Sequence, residues 1–207
     1  MLAYRPFTSR DLDLLANIVN AYRLALETRS IVEKPRRGAA SPVLANVQVD
    51  TGDVVRSVQF LKSIRGVTNH EIEKNAVRFS VGNAEISVGD PITMLKAKLH
   101  NVIELDQRGR NDRIHVEILR LCVPLFLERQ LAAADETEAA ARECLRSMQR
   151  ILELSRSMVA CQLGEFDWKD LIPIDRLREI RNRRVKNFRE QQLDGGSNRL
   201  PLSQRDI

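Results

Sequence analysis

The spacing of apolar and polar residues changes character twice along this chain. At the start, Asp11–Leu15 (DLDLL) alternates as a short strand does, with Leu12 and Leu14 on one side. Leu15, Ile18, Val19 and Tyr22 then fall at helical spacing and predict a helix from about Asn17 to Thr28. Glu33–Pro42 is broken by Pro35, Gly38 and Pro42 and reads as a loop. From Pro42 to Val88 the period is two. Val43, Ala45, Val47 and Val49 alternate, Thr51-Gly52-Asp53 turns, and Val54–Leu61 returns, which predicts a hairpin. A single helical turn over Asn69–Asn75 precedes a second hairpin, Val77–Val81 against Ile86–Val88, with the glycine-first turn Gly82-Asn83.

After Asp90-Pro91 the pattern is helical to the end. Ile92, Leu95, Leu99, Val102 and Ile103 mark one amphipathic helix, opened by Pro91. A second runs from about Asp112 to Leu131, with Pro124 expected to kink or break it. A third is expected to start at Asp135, with Glu138 as its capping-box partner, and to stop near Gly164. A fourth, from near Pro173, carries Ile174, Leu177, Val185 and Phe188. The expected class is therefore α+β, a small mixed or antiparallel sheet followed by a C-terminal helical bundle. The expected divisions are an α/β domain over 1–90, a helical domain over 91–193 and a disordered tail over 194–207.

Composition narrows the function classes. Aromatic residues are 4% of the 207, too few for a base-stacking nucleic-acid surface. No apolar run reaches the length of a membrane span, and Met1–Leu15 lacks the continuous apolar stretch of a signal peptide. The odd, scattered cysteines Cys122, Cys144 and Cys161 exclude a disulfide framework, so a cytoplasmic setting is expected. The net charge of +5 is local: Arg176–Arg189 holds seven basic residues against Glu179, and the remainder of the chain is close to neutral. This segment is either a solvated helix face or a phosphate-binding patch in which Arg181, Arg183 and Arg184 contact nucleic acid.

Two clusters can carry chemistry. In Thr8-Ser9-Arg10-Asp11-Leu12-Asp13, two carboxylates at i and i+2 on a strand share one face, about 6–7 Å apart. Such a pair suits a hard cation that keeps substrate phosphates among its ligands. The competing reading is a helix cap, with Ser9 or Asp11 capping a helix that begins near Leu12. The second cluster is Lys98 on the first long helix, with Arg110-Asn111-Asp112 opening the next. Lys98 reads equally as a phosphate-facing point charge or as a solvent-facing helix lysine. His70, His100 and His115 have no metal-ligand spacing, and no cysteine has a visible basic partner.

In order, Ser9-Arg10-Asp11-Leu12-Asp13-Leu14, Val58-Gln59-Phe60-Leu61, Pro91-Ile92-Thr93-Met94-Leu95-Lys96-Ala97-Lys98-Leu99 and Arg110-Asn111-Asp112 resemble the nucleotidyltransferase fold of the polymerase-beta-like superfamily. They are most similar to its minimal, abortive-infection (toxin-associated) branch. The resemblance implies a nucleotidyltransferase-type sheet and Mg²⁺-dependent transfer of a nucleotidyl group from a nucleoside triphosphate to a protein, RNA or small-molecule acceptor. It implies Asp11 and Asp13 as catalytic Mg²⁺ ligands, Ser9 and Lys98 as nucleotide contacts, and Asp112 as a catalytic acid. The family's third carboxylate falls on the neutral Gln59, and Met1–Tyr4 holds no glycine of the family's opening motif. Both departures lead us to expect an N-terminally truncated member, impaired in catalysis, with an open sheet edge that favours a partner protein or homo-oligomer. The other functions the sequence supports are a non-catalytic module of a toxin–antitoxin-type system and a helical nucleic-acid binder.

Overall fold

The computed structural model describes residues 11–36, 41–163 and 168–194. The chain is a mixed α+β protein that divides into two compact units, Met1–Glu71 and Ile72–Ile207. The second hairpin therefore belongs with the helices. Ser9 and the tail beyond residue 194 lie outside the described residues.

The first unit holds β1 (Asp11–Leu15), α1 (Ile18–Thr28), β2 (Val32–Glu33), β3 (Val43–Asp50) and β4 (Val55–Leu61). The strand order is β1-β4-β3-β2; β1 runs parallel to β4 and the other pairs are antiparallel. Asp11 thus sits in a strand and caps no helix; Asn17 caps α1, its side chain accepting from the Asn20 N–H at 3.2 Å. The apolar phase of each strand points one way. Leu14, Phe60, Ala45, Val58, Val47 and Val32 pack with Ala21 and Ala25 of α1 into one core. Alanines on the buried side of α1 let the helix axis approach the sheet closely. β2 went unseen in the sequence because two residues cannot display a period. Among the described residues β1 has one strand neighbour, so it forms an edge.

The second unit begins within α2 (Asn69–Asn75), continues as the hairpin β5 (Ala76–Val81) and β6 (Ala84–Gly89), and becomes helical. Its helices are α3 (Pro91–Glu104), α4 (Asp112–Ala134), α5 (Glu138–Ser155), α6 (Met158–Leu163), α7 (Ile174–Glu179) and α8 (Arg183–Phe188). One core runs through them, with Leu95, Leu99, Val123, Leu127, Met148, Ile151 and Leu177 almost wholly buried. No helix among the described residues is long and apolar enough to cross a membrane.

Four expectations need correction. Pro124 neither ends nor splits α4, which is one helix of 23 residues. An interior proline costs about 3 kcal/mol, and the fully buried Val123 and Leu127 on either side offset it at about 1.5–3 kcal/mol each. Asp135 does not start α5: Thr137 is its cap, accepting from the Ala140 N–H at 3.1 Å. The Asp135 carboxylate instead accepts from the backbone N–H groups of Arg181 and Asn182 at 3.0 and 2.7 Å. The third helix stops at Ser155, not near Gly164, because the Ser157 hydroxyl turns back onto the Leu154 carbonyl and receives the Ala160 N–H, opening α6. The fourth helix is two: Ile180 is extended, and Asn182 caps α8 through the Arg184 and Val185 N–H groups.

Candidate functional site

In the first unit positions 11 and 13 belong, by register, to the sheet face that α1 does not cover. Residues directly opposite one another on neighbouring strands share a face. Position 13 stands opposite Gln59, Gln59 opposite Asn46, and Asn46 opposite Glu33, one polar row across all four strands. Position 11 stands opposite Ser57, and Ser57 opposite Gln48, in a second row. The rows are tied together: the Ser57 hydroxyl donates to Asn46 Oδ1 at 2.7 Å, and the Asn46 amide reaches Glu33 at 3.5 Å. Asp13 is exposed, while Ser57 and Gln59 are half-buried. Neighbouring strands lie about 4.8 Å apart, so the Gln59 amide and the Asp13 carboxylate are lateral neighbours. The sheet thus puts oxygen donors from two strands on one open face.

The second unit brings Lys98 and Asp112 together. Lys98 and Asn101 lie one turn apart on α3, and Asp112 is the first residue of α4. The connection folds back through Gly109, whose φ of +71° favours glycine, and through Gln107, which donates to the carbonyls of Asn101 and Leu105 at 2.7 and 3.0 Å. The result surrounds Asp112 with donors: Lys98 Nζ at 3.0 Å, Arg110 Nε at 2.6 Å and Asn101 Nδ2 at 3.3 Å. Burial by itself raises the Asp112 pKa, but the hydrogen bonds from Arg110 and Lys98, the Lys98 charge and the Asn101 amide outweigh it and hold the carboxyl below its ordinary value. Its side chain is 3% exposed, so this acid joins two helices while remaining ionised. Any phosphate contact by Lys98 has to share the ammonium with Asp112. His115, one turn further along α4, has its pKa lowered by burial and by the Lys98 charge, with Asp112 opposing.

A second buried pair in this unit had no local signal in the sequence. Asp90 caps α3 through the Thr93 N–H at 2.7 Å and receives both arms of Arg150, from α5, at 2.6 and 3.2 Å. Arg150 also donates to the Thr93 hydroxyl. Sixty residues separate the partners, so only the fold reveals the pairing.

The remaining candidates separate cleanly. Among the described residues no group of three or more His, Cys, Asp or Glu side chains stands together as a metal cluster. His100 Nδ1 lies 2.7 Å from Glu104 on its own helix. Burial pushes the Cys144 thiol up to about 12, whereas Cys161 is exposed. A maleimide should therefore label Cys161 first in the native chain, and Cys144 only on unfolding, because burial both encloses the Cys144 thiol and disfavours its thiolate. Peptide mass spectrometry after brief labelling reads this directly; early labelling of Cys144 contradicts it.

Four of the seven basic side chains of the Arg176–Arg189 segment stand in ion pairs, three of them with acids outside it. Arg176 pairs with Glu179, Arg178 with Asp175, Arg184 with Glu138, and Arg189 with Asp194. Of the three arginines expected to contact nucleic acid, Arg184 is thus engaged at 2.8 Å, while Arg181 and Arg183 are exposed. Comparison with family models, with curated proteins and with solved structures found no match to this chain.

Proposed function

We propose that this chain is a nucleotidyltransferase-like protein that binds a nucleoside triphosphate on the open face of β1 and β4, with transfer to an acceptor impaired. The observation that carries the reading is the register of these two parallel strands, which sets position 13 beside Gln59 and position 11 beside Ser57. The resemblance asks for an acid pair on one strand and a third ligand beside it on the next.

The donor chemistry fits one Mg²⁺. Asp11 and Asp13 would hold the ion, with the Gln59 carbonyl and Ser57 hydroxyl as neutral oxygen neighbours. Two carboxylates balance one divalent ion and leave room for phosphate oxygens, whereas two ions would remain undercompensated. When bound, the ion would supply neutralisation and orientation of the triphosphate. The chain's own residues set the limits: the Asp pair attracts the cation, and Gln59 orients a ligand through a dipole. Gln59 neither adds charge nor accepts a proton, so an acceptor hydroxyl gains no base there. Binding should outlast turnover.

The test is titration with a fluorescent triphosphate analogue, with and without Mg²⁺. Binding should require Mg²⁺ and weaken at least about tenfold in Asp11→Ala with Asp13→Ala, while Gln59→Asp, which adds the third charge, tightens it. Binding that ignores Mg²⁺, or that survives loss of both acids, removes the proposal.

A further inference from the structure

The core-facing side of α4 is only one of its two apolar sides. Ile114, Ile118, Leu121 and Leu125 are 54, 38, 68 and 61% exposed, and they follow one another at steps of four, three and four residues. That is the spacing of a helix-pairing seam. Beside the seam, Phe79 and Val88 of the β5–β6 hairpin are about half exposed and face Leu125 across a cleft of about 750 Å³. These side chains form an apolar patch on the order of 600 Å², at the upper end of what a lone soluble chain carries.

We propose that this seam pairs, antiparallel, with the same seam of a second copy of the chain. Steps of four, three and four read identically in both directions, so a two-fold axis between Ile118 and Leu121 aligns all four layers. Ile114 then meets Leu125 of the other copy, and Ile118 meets Leu121. Every layer is one isoleucine against one leucine, of equal volume. Charge selects this direction over the parallel one. The next seam position after Leu125 is Glu128, and the one before Ile114 is Asn111, the residue preceding α4. A parallel pair sets Glu128 against its own copy. The antiparallel pair sets it against Asn111 at the start of the other α4, where the helix dipole and the amide both favour a carboxylate. Two patches of this size, with Phe79 and Val88 covered along with the seam, reach the lower end of what a stable dimer buries, about 1,200 Å² in total.

Sedimentation equilibrium of the full chain under reducing conditions tests the pairing. The parent should be a dimer at micromolar concentration. Ile114→Lys alone and Leu125→Glu alone should each weaken the dimer about a hundredfold, because each buries unpaired charge twice. The chain carrying both I114K and L125E should recover to within about tenfold of the parent, because lysine then faces glutamate in both outer layers. Both positions are exposed in the single chain, so circular dichroism and the thermal midpoint at low concentration should match the parent and separate lost pairing from lost folding. A monomeric parent overturns the proposal, including one whose seam is covered by another protein. Single variants that dimerise normally, or a double variant as weak as the singles, overturn it equally.

Discussion

Asp112→Ala should destabilise the helical unit by about 3–5 kcal/mol, the usual cost of removing one partner from a buried charge cluster. The side chain is 3% exposed and receives Lys98, Arg110 and Asn101 together. Without it, two cations face each other at the junction of α3 and α4 with no counter-charge. Lys98→Met should cost less, because Arg110 and Asn101 remain on the carboxylate. The same cluster fixes an acid dependence. The folded Asp112 pKa lies below the ordinary value of 3.8, so its stabilisation is complete above that value and disappears as pH falls through the folded pKa. Urea unfolding at pH 7 and at pH 3 should therefore show a larger difference between parent and variant at the first pH than at the second. A difference below about 1 kcal/mol at pH 7 would show that the cluster contributes little.

Asp90→Ala should be nearly as severe, at about 3–4 kcal/mol, because one side chain performs two tasks. It accepts the Thr93 N–H at the start of α3, a cap worth about 1 kcal/mol, and it holds both arms of Arg150. Two further variants separate these contributions. Asp90→Asn keeps the cap and loses the charge, so it should fall between parent and alanine. D90A combined with R150M should be more stable than D90A alone, because no guanidinium is then left buried without a partner. Thermal midpoints should rank parent, D90N, D90A/R150M and D90A in descending order or with the middle two close together. D90A/R150M no better than D90A would assign the loss to the cap and not to the ion pair.

Both clusters show what could be read from the sequence and what could not. The two hairpins and the helices α1, α3 and α4 were legible because their signals are local: alternation, helical spacing, Gly52 and Gly82 in turns, and Pro91 at a first turn. The cap of α5 was misplaced by two residues because Asp135 and Thr137 are both good caps, and the choice was made by the N–H groups of Arg181 and Asn182, distant in sequence. At Pro124 the expected break is absent for the opposite reason: a strong local rule yielded to buried neighbours. Lys98 and Asp112 drew attention as separate charges, and only the loop through Gly109 makes them a pair. On the sheet, the i, i+2 acids were visible, but the lateral row through Gln59, Asn46 and Glu33 depends on strand register, which no local pattern carries.

The parallel pairing of β1 with β4 also sets an order of assembly. β3 and β4 form a hairpin across a short turn, a contact that closes quickly. β1 is separated from β4 in sequence by α1, β2 and β3, so closing that loop costs more entropy than closing the hairpin. The strand bearing Asp11 and Asp13 is thus the natural last piece of its unit to dock. A ligand that bridges the two strands would act as a latch, shifting the docked population by its own binding free energy, and would tie completion of the sheet to occupancy of its open face.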